Sequence, residues 1–303
     1  MRALVLGVLG ALMTLPAAAQ LAPINPVENP HIFPGDAVKA DVFAAWETKD
    51  EKGSRVNVAQ GKDAVAKAPA NAVRYEVRTN VYPTGTIREY KFKKATGGVL
   101  HPLTTDTELY VLKGAVEVGV GKKREKLGVG DAVSMPSGAL RSVGKGEDTT
   151  IISWTVGSSV PNPKAMLIRG KDVKAEMTGE WDENGKVVRT STTAETNKRA
   201  PKDARRLLSK RYEFDGNSIR VAHLYKGANR APALMTQDSL IYISEGPIVF
   251  EQGKDPATTP GEKHEVNPGD FVREEAGLKH IWHQVHDGGF ITTTGFPVMA
   301  EKK

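Results

Sequence analysis

The sequence predicts an all-β protein built from two copies of one unit, and three observations carry this prediction. From Val73 onwards apolar and polar residues alternate, as in VRYEVRTNVYPTGTIREYKFKKA, which is the period of half-buried strands. Glycine or Gly-Asp steps interrupt these runs at short intervals, whereas helical periodicity is almost absent. The second half of the chain then repeats the pattern of the first.

The repeat keeps a nearly constant spacing. Asp106 matches Asp238, 132 positions later, and the same spacing relates the tyrosines and glycines around them. The Gly-Asp step at 130–131 matches that at 269–270, 139 positions later, because the segment near GKDPATTPGEK holds a seven-residue insertion. Matching turn glycines at a steady spacing indicate an internal duplication.

The first 19 residues predict a secretory signal peptide. MRALVLGVLGALMTLPAAAQ combines one basic residue, an apolar core and small residues just before Gln20, where cleavage is expected. The apolar run is shorter than the roughly 20 residues that a membrane span needs. We therefore expect an exported protein, periplasmic or secreted, with no membrane attachment after cleavage.

The remaining chain divides by composition into four segments. Residues 20–70 are rich in Pro, Ala, Lys and Asp and predict an N-terminal arm, in which VFAAWETKDEKGS forms a short helix that buries Trp46. Residues 71–157 and 206–303 carry the strand patterns and predict the two repeated units. Residues 158–205 are polar and predict a long connector with one hairpin around Glu183-Asn184-Gly185.

Composition narrows the classes of function. The chain has no cysteine, which excludes disulfides and thiolate chemistry. Its net charge of +6 comes from scattered lysines and not from a basic stripe with interleaved aromatics, so nucleic acid is not an expected partner. Neither a phosphate-binding loop nor a Gly-x-Ser-x-Gly nucleophile motif occurs. The expected partner is a small molecule.

The turns of each unit resemble the two motifs of the cupin family. In the first half a Tyr-Val-Leu strand ends at Gly114, and a Gly-Asp step and a Pro-x-Gly at 136–138 follow it. The resemblance covers about 40 residues in each half. It implies a bicupin, with two double-stranded β-helix (jelly-roll) barrels joined by the long polar connector. It also implies a homodimer formed through edge strands.

Cupins commonly hold a divalent transition metal with three histidines and a glutamate. The resemblance places these four ligands at His101, Leu103, Thr107 and Arg141 in the first half and at Ala233, Met235, Ser239 and His280 in the second. Glu108 follows the glutamate position by one residue, so on a strand it is expected to point out of the barrel. Because most positions carry no ligand, we predict no cofactor. A metal site at His280 and His283 is the open alternative.

Alternation suggests a different use for the barrel interiors. Arg88 shares its strand face with Tyr90 and Phe92, and an inward aromatic face would place it in the first barrel. The predicted ligand-binding residues are Arg88, His101 and Arg141 in the first barrel and Arg220, His280 and Trp282 in the second. Guanidinium and imidazole groups suit a carboxylate, phosphate or acidic sugar. Structural ion pairs that seal the barrel ends would explain the same arginines equally well.

Three functions remain open at this point. The first is an exported bicupin that binds a small polar ligand, anionic or sugar-like, without a metal. The second is a metal-dependent cupin enzyme such as an oxygenase, isomerase or lyase. The third is a non-catalytic, oligomeric interaction protein. The sequence does not decide whether the chain is an enzyme or which barrel is active.

Overall fold

The computed structural model describes residues 31–50, 53–93, 107–120, 123–135, 148–155, 164–183, 186–192, 201, 204–226, 233–253, 261–283 and 285–294. Within these ranges no helix is long and apolar enough to cross a membrane. The leader of residues 1–19 lies outside them, so its cleavage and the export of the chain stay predictions.

The described chain consists almost entirely of antiparallel strands, which confirms the all-β prediction. The strands of the first half are β1 (Ile32–Phe33), β2 (Asp41–Asp50), β3 (Gly53–Gln60), β4 (Val73–Tyr82), β5 (Gly85–Phe92), β6 (Thr107–Lys113), β7 (Ala115–Val120), β8 (Lys123–Gly128), β9 (Ala132–Met135) and β10 (Thr149–Thr155), with a short helix α1 (Lys62–Ala66) after β3. Those of the second half are β11 (Met166–Ile168), β12 (Ala175–Glu183), β13 (Lys186–Thr192), β14 (Arg205–Glu213), β15 (Ser218–Tyr225), β16 (Ala233–Leu234), β17 (Ser239–Glu245), β18 (Ile248–Gly253), β19 (Lys263–Val266), β20 (Phe271–Glu274), β21 (Lys279–His283) and β22 (Gly288–Thr294).

Each half of the fold is a barrel made of a large and a small sheet. The large sheets run β11-β9-β6-β10-β5-β4-β2-β3 in the first barrel and β1-β20-β17-β22-β15-β14-β12-β13 in the second. The small sheets are β7-β8 and β16-β21-β18-β19 respectively. Apolar side chains from both sheets meet inside each barrel, such as Val111 and Val118 in the first and Ile241 and Phe250 in the second. Burial of these inner faces drives the closure of each barrel.

A third apolar core lies between the two large sheets, and we call this contact the joint. Tyr110 and Trp154 of the first barrel pack there with Tyr212 and Leu240 of the second. The Trp154 indole Nε1 donates a hydrogen bond to the Leu240 carbonyl oxygen (3.0 Å), and the Tyr212 hydroxyl donates to the Gly130 carbonyl oxygen (2.7 Å). Each large sheet therefore packs against its own barrel core on one face and against the joint on the other.

The predicted arm and connector both contribute strands to the large sheets. The helix predicted at VFAAWETKDEKGS is wrong: β2 and β3 form a hairpin there, and β2 pairs with β4. That pairing satisfies the backbone of β2 and buries Ala44 and Ala45 completely, which a short exposed helix would not achieve. In the connector Glu183 pairs with Lys186, as the predicted hairpin requires, and β12 pairs with β14.

The two halves exchange their first strands. β1 pairs with β20 of the second barrel, and β11 pairs with β9 of the first. A glycine after each exchanged strand packs on a Gly-Asp turn: the Gly35 amide donates to Asp270 Oδ1 (2.6 Å), and the Gly170 amide donates to Asp131 Oδ1 (2.9 Å). The duplicated unit therefore begins at the exchanged strand, earlier than the barrel patterns in the sequence indicate.

Candidate functional site

A polar cavity of about 1120 Å³ lies against β12, β14 and β15. The strand register positions its lining, because Glu176 is opposite Ser209 and Arg211 is opposite Arg220. Alternate residues share one face of a sheet, and Leu207 on this face of β14 belongs to the core of the second barrel. The cavity therefore continues the inner face of the second barrel.

The described lining of the polar cavity is hydrophilic and carries both signs of charge. Its cations are Lys174, Arg211 and Arg220, its anions are Asp172, Glu176 and Glu213, and its neutral polar residues include Thr178, Ser209, Asn217, Ser218 and Gln237. The charges balance in number, while hydroxyl and amide groups are spread between them. Such a lining can receive an anionic group and several hydroxyls at the same time.

Two arginines of the polar cavity, Arg211 and Arg220, face each other on neighbouring strands. The Arg211 Nε atom lies 2.7 Å from Glu213 Oε1 and donates a hydrogen bond to Ser218 Oγ (3.3 Å). The Arg211 side chain is 62% exposed, whereas Arg220 is half-buried. Like charges directly opposite each other on neighbouring strands repel, so an anionic ligand group beside Arg220 would stabilise the pair.

The sequence predicts that His280 and Trp282 bind a ligand together with Arg220. Neither of the two is among the residues that line the polar cavity. Both are buried inside the second barrel, where they meet a carboxylate of β20. The Trp282 Nε1 donates to Glu274 Oε1 (2.7 Å), and His280 Nε2 lies 3.1 Å from the same oxygen. The Phe250 ring packs against Trp282, with their centroids 4.6 Å apart. One oxygen of Glu274 thus contacts both side chains inside the second barrel.

The predicted metal pair of His280 and His283 is not brought together. Residues three apart on a strand point to opposite faces, so the two imidazoles lie on different sides of β21. His283 Nε2 lies 2.7 Å from Glu251 Oε2. Burial lowers the pKa of His283 below its ordinary value, and the hydrogen bond to Glu251 only partly offsets this. Each imidazole contacts a carboxylate on its own face of β21, Glu274 for His280 and Glu251 for His283.

The donor set of the second barrel does not fit the metal that the cupin resemblance implies. Ser239 stands on β17 at the position of the glutamate ligand and is opposite Glu274 in register. Across the described ranges, no group of three or more histidine, aspartate or glutamate side chains is arranged to hold a metal ion. Three or four convergent ligands are the usual requirement.

In the first barrel Arg88 lies on the inner face of β5. Tyr90 and Phe92 on the same face pack in that barrel's core, and Arg88 Nη1 donates to Thr155 Oγ1 (2.7 Å). Glu108 points the other way and meets Thr293 of the second barrel, as strand alternation predicts. The two other predicted ligand residues, His101 and Arg141, lie outside the described residues.

Sequence reasoning missed Arg211, Glu176 and Glu274. A signal for Arg211 exists, because Arg211 and Arg220 are equally distant from the Asp-Gly turn in RYEFDGNSIR and a hairpin brings them face to face. Glu176 was missed because its segment was assigned to a connector and not to a strand of the second barrel. Glu274 shows no motif and is recognised only through its contacts with the two predicted side chains.

Comparison with known proteins identifies the fold. No family model matches the chain, and no curated protein matches it in sequence. AerE from Microcystis aeruginosa matches in structure with a TM-score of 0.51 at 11% identity, over 83% of this chain and 97% of AerE. An oxalate decarboxylase matches with a TM-score of 0.51 at 12% identity, over 75% of this chain and 74% of the enzyme.

A further match is the Bacillus subtilis oxalate decarboxylase solved in a study of its Mn(II) centres, with a TM-score of 0.50 at 12% identity, over 75% and 74% of the two chains. Identities this low establish the fold and not the activity. The likeness is one of fold, and this chain folds as two antiparallel barrels, each made of a large and a small sheet. The chain therefore has the two-barrel fold of the cupins.

Proposed function

We propose that this chain is an exported cupin-fold protein that binds a small polar ligand, anionic or sugar-like, in the polar cavity of its second barrel. The observation that carries the proposal is the pair Arg211 and Arg220, which face each other on the cavity wall beside Ser209 and Ser218. Arg220 is the residue expected to bind the ligand directly, because it is half-buried in the cavity wall whereas the Arg211 side chain is 62% exposed.

The chemistry of the wall supports this ligand class. A guanidinium presents a planar fork that binds a carboxylate through two parallel hydrogen bonds. Serine hydroxyls and the Gln237 and Asn217 amides can donate to and accept from sugar hydroxyls. The volume of about 1120 Å³ accommodates a monosaccharide or a small organic acid together with bound water.

The test compares D-galacturonate with D-galactose, which lacks the carboxylate, by isothermal titration calorimetry. For wild type we expect tighter binding of galacturonate. Arg220→Gln is expected to weaken galacturonate by about 10- to 100-fold, the worth of a charge-assisted hydrogen bond, while galactose changes little. Arg88→Gln is the matched control, since it removes an arginine from the inner face of the other barrel.

Equal loss of affinity in the Arg88→Gln protein would move the site to the first barrel. Binding of galacturonate that survives Arg220→Gln unchanged would refute the role of the polar cavity. Export is tested separately, because the mature protein is expected to begin at Gln20 and to leave the cytoplasmic fraction.

A further inference from the structure

Glu108 is a buried carboxyl group in the joint between the two barrels. Its residue is 1% exposed, although it sits on the outer face of β6. Its Oε2 accepts a hydrogen bond from Thr293 Oγ1 of the second barrel (2.9 Å), whereas its Oε1 is buried and accepts no hydrogen bond within the described structure. A half-satisfied carboxylate in an apolar contact is costly whenever it is charged.

Among the described residues no cation compensates Glu108, whose carboxyl is influenced by burial and by hydrogen bonds from Thr293 and Asn217. Trp154 of β10 and Ser134 of β9 are its neighbours in register, and strands β9, β10 and β22 carry no ionisable side chain. Tyr110 lies two residues along the same face of β6. The turn that follows β14, which leads to Asn217, adds only the acidic Asp215.

A second buried carboxylate of the joint, that of Glu89, is compensated by cations. Glu89 Oε2 lies 2.6 Å from Arg78 Nη2 and 3.3 Å from Lys91 Nζ. Its Oε1 accepts a hydrogen bond from the Tyr242 hydroxyl of the second barrel (2.6 Å). Both oxygens of Glu89 are therefore satisfied, and two cations stand beside it. Glu108 has neither advantage.

We propose that Glu108 is a proton-controlled switch in the joint, which holds the two barrels together firmly when its carboxyl is protonated and less firmly when it is charged. The protonated group carries no charge, so the apolar surroundings cost it less than they cost the carboxylate. Asn217, which hydrogen bonds to this carboxyl, also lines the polar cavity. Through Asn217, protonation of Glu108 is therefore expected to affect the cavity wall at the proposed ligand site.

The expected pH range follows from the burial of the group. Burial raises the pKa of Glu108 from 4.5 to about 7, against the opposing effect of the hydrogen bonds from Thr293 and Asn217. Between these two pH values the folded protein holds a proton that the unfolded chain has lost. Stability contributed by this proton is complete below pH 4.5 and is lost as the pH rises through about 7.

The test is urea unfolding of wild type and Glu108→Gln at pH 5 and pH 8. Glutamine keeps the shape and removes the titration. The ratio of the folding equilibrium constants, variant over wild type, is expected to rise roughly 70-fold between the two pH values. Glu89→Gln is the matched control: it removes the compensated carboxylate of the same joint and is expected to weaken the protein at both pH values.

Two measurements on the wild-type protein test the proposal even where the Glu108→Gln variant fails to fold. The Glu108 carboxyl carbon, followed by NMR, is expected to titrate near pH 7, and a midpoint near 4.5 overturns the proposal. The Trp154 indole N–H, which bonds across the joint, is expected to exchange faster at pH 8 than intrinsic chemistry predicts. A Glu108→Gln ratio independent of pH also overturns it.

Discussion

The two Gly-Asp turns occupy matching places in the repeat, yet their aspartates are expected to respond to pH in opposite directions. Asp131 Oδ1 accepts a hydrogen bond from the Gly170 amide (2.9 Å). Its Oδ2 accepts hydrogen bonds from the Gly128 amide (3.0 Å) and from Arg169 Nη1 (2.9 Å). Asp131→Asn retains one acceptor oxygen and places an NH₂ group against the two donors that faced Oδ2. Hydrogen bonds to a charged group contribute about 1.5 to 3 kcal/mol each, so the loss of two predicts a cost of about 3 kcal/mol.

Asp270 has fewer partners. Its Oδ1 accepts the Gly35 amide (2.6 Å) and its Oδ2 accepts the Asn267 amide (2.7 Å), and no arginine side chain donates to it in the described structure. Asp270→Asn removes one acceptor, which predicts a cost of about 1.5 kcal/mol. The pair of variants thus compares the same turn with and without a hydrogen bond from an arginine to the aspartate.

The pH dependence separates the two aspartates further. Burial acts to raise the pKa of Asp131, but the hydrogen bonds from Gly128, Gly170 and Arg169 outweigh it and hold the pKa below 3.8. Burial dominates at Asp270 and raises its pKa above 3.8. The cost of Asp131→Asn is therefore constant above pH 3.8 and falls in more acidic solution, whereas that of Asp270→Asn is largest in acid and falls as the pH rises.

Urea unfolding of wild type and both variants at pH 3, 5 and 7 measures these costs as differences in the free energy of unfolding. The wild-type protein serves as the reference at each pH, so titration elsewhere in the chain cancels. Equal costs for the two variants, or costs that change with pH in the same direction, would refute the reasoning.

Three further predictions test packing, the joint and the metal question. Gly170→Ala places a Cβ atom on the carbonyl oxygen of the turn it packs against and is expected to cost about 3 kcal/mol in thermal unfolding, whereas Gly128→Ala meets open space and should cost less than about 1 kcal/mol. Tyr242→Phe removes the hydroxyl donor to a buried carboxylate across the joint, so a loss of about 2 kcal/mol is expected; an unchanged unfolding midpoint would contradict that contact. His280→Ala and His283→Ala should leave the metal content of the tag-free protein equal to that of wild type, as elemental analysis can show, and loss of one equivalent in both variants would restore the predicted pair as a metal site.

Much of the fold was predictable because the repeated strands are buried on one face or both. Alternation in β5 placed Arg88 beside Tyr90 and Phe92, and alternation in β6 turned Glu108 out of its barrel. β2 was mistaken for a helix because alanines and long polar side chains suit either structure, and pairing with β4 decides between them. β12 and β13 were assigned to a connector because their sequence is polar, and β13 lies at the edge of its sheet.

The site was harder to predict than the fold. Arg220 could be placed in the second barrel from strand period alone. The partners of His280 and His283 could not, because Glu274 and Glu251 reach them from other strands and no local pattern records that meeting. The cavity also needs Glu176, whose strand joins the sheet only through its pairing with β14. Long-range pairing, more than residue type, decided which side chains share a pocket.

The exchange of β1 and β11 has a consequence for how the chain is made. β1 leaves the ribosome first among the described strands, yet its partner β20 is among the last to be synthesised. The large sheet of the first barrel needs only β11 from the second copy of the unit, and β11 follows β10 directly in the chain. The second large sheet instead joins the first described strand to the last ones, so we expect it to close last. The second barrel therefore stays incomplete until its C-terminal strands have been synthesised.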